Sequence, residues 1–128
     1  MNRIVLDASA LLAVLNRERG ADKLTPQLLS GAASSTVNLA EVQSKLVSRG
    51  LDPDQAWEAT LSPIRDAVDF TAEHAKVACS LVVQTRGLGL SLGDRACLSL
   101  GLALKAPVYT ADKTWQSLKL GVRIHIIR

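Results

Sequence analysis

Four acids in this 128-residue chain, Asp7, Glu41, Asp94 and Asp112, stand where elements begin or join. Carboxylates brought together in one pocket repel strongly. A hard divalent cation removes that repulsion, and Mg²⁺ binds oxygen ligands while keeping waters for a substrate phosphate. Two such ions about 4 Å apart activate a water and stabilise the leaving oxygen of a phosphodiester. That chemistry needs no histidine base. His74 and His125 lie away from the acids along the chain and read as structural or solvated side chains.

Each acid alone also has an ordinary explanation. Asp7 and Asp112 precede helical segments and suit helix N-caps. Glu41 has Lys45 four residues on, the spacing of a surface ion pair. Asp94 falls in a first helical turn, where the macrodipole favours an anion. Convergence of all four at one end of one sheet is the observation that separates the two readings.

The elements that must position them follow from hydrophobic pattern and punctuation. Residues 3–6 form an apolar run ending on Asp7 and read as a buried strand. Helical patterns follow over 8–19, stopped by Gly20; over 26–30; over 36–49, closed by Gly50; and from Pro53, capped by Asp52. Small residues at 31–35 and the stretch 66–70 read as strands. Helices are expected from 71 to 86 and from 91 to 105, then a strand at 107–110, a short helix, and a last strand at 123–127. The helix after Gly93 is apolar on nearly every side, so it is expected to be buried, leaving Asp94 in need of a partner or a metal. Short apolar strands alternating with helices predict a three-layer α/β/α domain with a central, mainly parallel sheet, a single domain over 1–128. Ligands in such sheets bind outside the carboxyl ends of the strands, where Asp7 and Asp112 fall.

Composition narrows the function classes. Apolar residues at 48% and charged residues at 21% are globular proportions. Four aromatic side chains (Trp57, Phe70, Tyr109 and Trp115) are too few for a base-stacking RNA-binding sheet. Fifteen basic against twelve acidic residues give +3, compatible with a polyanionic partner. Arg17, Arg19, Lys45, Arg95 and Lys113 are near the four acids in sequence, but none is assigned to the site. Cys79 and Cys97 sit singly on apolar helical patterns and read as buried, reduced thiols of a cytoplasmic protein. Apolar runs are too short to span a bilayer. Gly87–Gly93 mimics a dinucleotide loop but follows a helix and has one residue too many before its last glycine. No Gly-Lys-Ser/Thr of a P-loop occurs. A phosphoacceptor aspartate at position 7 would want a second acid two residues on, and Ser9 stands there.

Val5-Leu6-Asp7-Ala8-Ser9-Ala10, Val37-Asn38-Leu39-Ala40-Glu41-Val42, Leu90-Ser91-Leu92-Gly93-Asp94-Arg95 and Val108-Tyr109-Thr110-Ala111-Asp112-Lys113-Thr114-Trp115, in this order, resemble the PIN-domain nucleases, and among them the VapC toxins of VapBC toxin–antitoxin pairs. The resemblance spans essentially the whole chain. It implies that Asp7, Glu41, Asp94 and Asp112 hold Mg²⁺ or Mn²⁺ as the catalytic acids, with Ser9 and Thr110 as supporting polar neighbours. It also implies an endoribonuclease acting on structured RNA such as tRNA or rRNA, a homodimer, and inhibition by a VapB-type antitoxin. The alternatives are a free-standing RNA-processing nuclease and a module that binds RNA or a partner without cutting it.

Overall fold

A computed structural model describes residues 2–128. Five strands make one sheet: β1 (Ile4–Leu6), β2 (Ala32–Ser35), β3 (Asp66–Val68), β4 (Val108–Thr110) and β5 (Ile124–Ile126), in the order β3-β2-β1-β4-β5. Every pairing is parallel, with Val5 opposite both Ala33 and Val108, Ser34 opposite Ala67, and Tyr109 opposite His125. The expected α/β/α architecture is present, and its sheet is parallel throughout. Between the strands run α1 (Ala8–Asn16), α2 (Pro26–Leu29), α3 (Thr36–Ser48), α4 (Pro53–Leu61), α5 (Ala72–Gln84) and α6 (Leu92–Leu104), with 3₁₀ turns at Ala21–Lys23 and Lys113–Ser117. None of the described helices is long and apolar enough to cross a membrane.

Strand alternation sorts the core into two layers. On β1, Ile4 and Leu6 join Leu11, Leu39, Val42 and Ala56, whereas Val5 joins Leu81, Leu98, Leu100, Val108 and Trp115 on the other face. The small residues of β2 are all buried, and Ser34 Oγ satisfies itself on the Leu6 carbonyl at 2.8 Å. Small side chains here let α6 pack close to β1 and β2. Gly101 serves the same end on β4, since a Cβ there would stand 2.5 Å from Val108 Cγ2.

Three expectations need correction. Helix α1 stops at Arg17, whose backbone turns left-handed (φ 53°) and donates to the Ala13 carbonyl; Gly20 does not end it. Gly20 (φ 93°) instead admits the segment that follows β5, as a Cβ there would lie 2.2 Å from the Ile127 carbonyl oxygen. Cys79 is exposed, because Ala78 and Leu81 define the inner face of α5 and Cys79 lies about 100° round from Ala78. Helix α6 is buried only from Gly93 to Gly101 apart from half-buried Asp94 and Arg95, and Leu92 is 53% exposed at its first turn.

Because Gly101 lets α6 seat against β4, Gly101→Ala is expected to destabilise the fold by about 1–3 kcal/mol, the range for overpacking a close-packed core. Urea unfolding of the two proteins measures it.

Candidate active site

Strand order reverses direction at β1: the chain moves outward through β2 and β3, then returns to β4 on the other side of β1. A crevice opens at such a reversal, outside the carboxyl ends of the strands. Asp7 leaves β1 at that point, and Asp112 follows β4 by two residues. Glu41 stands in the second turn of α3, which begins as β2 ends, and Asp94 in the first turn of α6.

Asp7 is the anchor. It is 3% exposed and caps α1 by accepting from Ala10 N at 2.8 Å. Ser9 Oγ lies 2.8 Å from Asp7 Oδ1, and Thr110 Oγ1 donates to Asp7 Oδ2 at 2.6 Å. Both hydroxyls also receive backbone bonds, Ser9 from Ala111 N at 2.9 Å and Thr110 from Asp112 N at 3.0 Å. Their protons are therefore free to point at Asp7. Burial nevertheless dominates: it pushes the Asp7 carboxyl up from 3.8 to about 6, with the negative charge of Asp94 adding to the rise and the bonds from Thr110, Ala10 and Ser9 opposing it. The described ion pairs, Arg3 with Asp66 and Arg128 with Glu18, leave all four acids without a protein cation.

The other acids are reached through shared neighbours. Thr110 ties the backbone of Asp112 to Asp7. Asp94 acts on Asp7 through its charge. Glu41 lies against the backbone of Gly93, next to Asp94, where a Cβ would come within 2.3 Å of Oε1. Burial pushes the Cys97 thiol up, and the charges of Asp7, Asp94 and Glu41 push it the same way, so all three acids lie within electrostatic reach of this buried side chain.

The ordinary explanations also hold at several positions. Asp94 completes a capping box with Ser91, accepting from Ser91 N at 2.9 Å while Asp94 N donates to Ser91 Oγ at 3.1 Å. Asp112 caps the 3₁₀ turn, accepting from Thr114 N at 2.9 Å and Thr114 Oγ1 at 2.8 Å. Glu41 forms no ion pair with Lys45 among the described residues. His125 stacks on Tyr109 with ring centroids 4.6 Å apart, in keeping with a structural part. Among the described residues, no three His, Cys, Asp or Glu side chains already form a metal-binding cluster. The structure thus gathers the acids along one edge without closing their carboxylates on a common point.

An all-oxygen donor set, with a buried carboxylate within electrostatic reach of a second acid and no ion pair to a protein cation among the described residues, fits a hard divalent ion such as Mg²⁺. Sequence reasoning assigned no part to Asn38 or Gly93. Asn38 is 1% exposed and donates through Nδ2 to Glu41 Oε1 at 3.2 Å and to the Gly93 carbonyl at 3.0 Å. An asparagine three residues before Glu41, on an otherwise apolar helix face, was the available signal. A cavity of about 650 Å³ along the β5 edge, lined in part by Trp115, Leu120 and Ile124, has no acid in its wall and is separate from this edge.

The PIN domain family matches residues 4–119. The chain belongs to this family. No curated protein matches the sequence closely. Among solved structures, this PIN domain is similar to a toxin–antitoxin complex from Klebsiella pneumoniae (16% identity, 98% of each chain covered, TM-score 0.76). It is also similar to DNA-bound VapBC from Salmonella typhimurium (16%, 100% of each chain, TM-score 0.76). A third is VapC20 of Mycobacterium tuberculosis, a toxin that cleaves the sarcin–ricin loop (20%, 94% of this chain and 98% of that one, TM-score 0.72). At these identities the likeness is one of fold.

An acid whose native pKa exceeds its unfolded value holds more protons folded than unfolded between the two values, so stability falls as pH rises through that interval. For Asp7 the window runs from 3.8 to about 6. In chelator, the native chain is expected to lose up to about 3 kcal/mol across it relative to Asp7→Asn, at about 1.4 kcal/mol per pH unit. Denaturant midpoints of both proteins from pH 4 to pH 7 test this; parallel curves would contradict the burial argument.

Proposed function

We propose that this PIN domain is a Mg²⁺- or Mn²⁺-dependent endoribonuclease that hydrolyses RNA phosphodiesters, and that it is the toxin of a VapBC pair. The observation that carries the reading is the buried Asp7 carboxylate at the strand reversal, its pKa raised further by the charge of Asp94, bonded by two hydroxyls and paired with no protein cation among the described residues. Burying a carboxylate in this way is costly for a fold and is expected where a charged ligand repays it. Asp7, Glu41, Asp94 and Asp112 would hold the cation, which when bound supplies an activated water and charge neutralisation at the phosphate.

The chain's own residues have distinct tasks in this reading. Ser9 and Thr110 keep the Asp7 carboxylate in one orientation: Oδ1 accepts from both Ser9 Oγ and Ala10 N, and Oδ2, which accepts from Thr110, keeps a lone pair for a cation. The capping bonds of Asp94 and Asp112 engage one carboxylate oxygen each, Oδ2 of Asp94 and Oδ1 of Asp112, so the other oxygen of each would serve the cation. Glu41, exposed on α3, would add a ligand from beside Gly93 at the start of α6. With the acids neutralised, the remaining excess of basic residues favours the approach of RNA.

Support for a toxin comes from the PIN fold and from the likeness to solved toxin–antitoxin complexes. An antitoxin tail over the acidic edge and a homodimer belong to the same proposal. A free-standing RNA-processing nuclease shares the chemistry but not the partner.

Cleavage of structured RNA is expected to stop in EDTA and return with added Mn²⁺ or Mg²⁺. Asp94→Asn should lower it by more than the roughly 100-fold typical of losing a residue that merely supports a ligand. Cleavage that persists in EDTA sinks the metal mechanism. Binding without cleavage, unchanged by Asp7→Asn, would point to a non-catalytic module. Growth arrest on expression, relieved by the product of the adjacent gene, tests the toxin assignment.

A further inference from the structure

Glu41 and Asp94 stand on different helices, and the two are joined through Asn38 and Gly93. The Asn38 amide NH₂ donates both to Glu41 Oε1 at 3.2 Å and to the Gly93 carbonyl at 3.0 Å, so one buried side chain spans from α3 to the residue preceding Asp94. Its own Oδ1 is buried and meets no donor among the described residues. A leucine would fill this place without an unpaired acceptor, so packing alone does not explain an amide here. The NH₂ group, serving two acceptors on two helices, does.

Gly93 carries the second half of the argument. It lies inside α6 and has no positive φ, so the backbone does not require glycine, and the helix itself would favour alanine. What requires it is Glu41. An ideal Cβ at Gly93 would stand 2.3 Å from Oε1 and 2.6 Å from both Cδ and Oε2. The obstructed atoms are the far end of a flexible side chain, so an added methyl group would displace the Glu41 carboxylate rather than break the fold.

We propose that Asn38 and Gly93 are positioning residues that fix Glu41 against the start of α6, so that Glu41 and Asp94 face a divalent cation as a set pair. This inference rests on the reading of the acids as a cation site. It assigns a task to two residues whose side chains (an amide and a hydrogen) contribute no charge to that site.

Mn²⁺ titration of the full chain, followed by the electron paramagnetic resonance of free Mn²⁺, tests it alongside thermal melting in EDTA. The unaltered chain, Gly93→Ala, Asn38→Leu and Glu41→Gln are compared, with each of the first two substitutions also combined with Glu41→Gln. Gly93→Ala and Asn38→Leu are expected to weaken Mn²⁺ binding by about 10–100-fold, as loss of a ligand's supporting partner does. Their melting temperatures should match or exceed that of the unaltered chain. Neither substitution should weaken Mn²⁺ further once Glu41 is Gln, because the effect runs through that carboxylate. Unchanged Mn²⁺ affinity in both variants overturns the proposal. Weakening that accompanies a lower melting temperature, or that persists in full with Glu41→Gln, assigns the two residues to packing and also overturns it. If the unaltered chain binds no Mn²⁺, the cation site itself is wrong and the positioning role falls with it.

Discussion

The arrangement depends on one buried charge. Asp7 is almost without solvent, yet its partners are two hydroxyls and a backbone amide rather than a lysine or arginine. Neutral donors soften the desolvation of a carboxylate without cancelling its charge. The result is a group held with high geometric definition and left electrostatically unsatisfied, the raised pKa being the measure of that dissatisfaction. A protein that needed only a helix cap at this position would do as well with serine, threonine or asparagine.

The rest of the sheet can be seen as support for that charge. Parallel pairing on both sides of β1 places the ends of three strands side by side. The helices that follow β1 and β2, and the 3₁₀ turn after β4, begin at that edge. Small residues on β2 and Gly101 on α6 let the helical layer approach closely enough for Asp94 to act on Asp7. Local capping and long-range convergence are therefore compatible demands on the same side chains. Asp7 meets both at once, and Asp94 and Asp112 are capped with their carboxylates close to the crevice.

Much of this was legible in the sequence. Strand and helix positions followed from apolar runs, Asp52-Pro53 and the glycine breaks, and the acids stood out because Asp7, Asp94 and Asp112 fall at element boundaries and Glu41 lies near the start of a helix. Capping and site membership were framed as rivals, yet at Asp7 the structure satisfies the cap while burying the charge. Less was visible where one element's conformation is dictated by another. Gly20 was read as a helix stop, whereas its role is to clear the carbonyl of Ile127, over a hundred residues away in the chain. The pairing of Asn38 with Gly93 could not be read from either residue alone, since the bond between them crosses 55 positions. The exposure of Cys79 and Leu92 depended on which faces of α5 and α6 were covered, and an almost uniformly apolar helix gives no periodicity from which to read that.

The bond from Thr110 to Asp7 spans 103 positions and joins the start of the fold to its penultimate strand. On a ribosome elongating at about 5–20 residues per second, the first partner emerges roughly 5–20 seconds before the second. During that interval β1 lacks β4, and the aspartate lacks the hydroxyl that orients it. The nascent polypeptide therefore cannot assemble the acidic edge until β4 and the residues after it have been translated. Topology alone delays competence until Asp112 has been made.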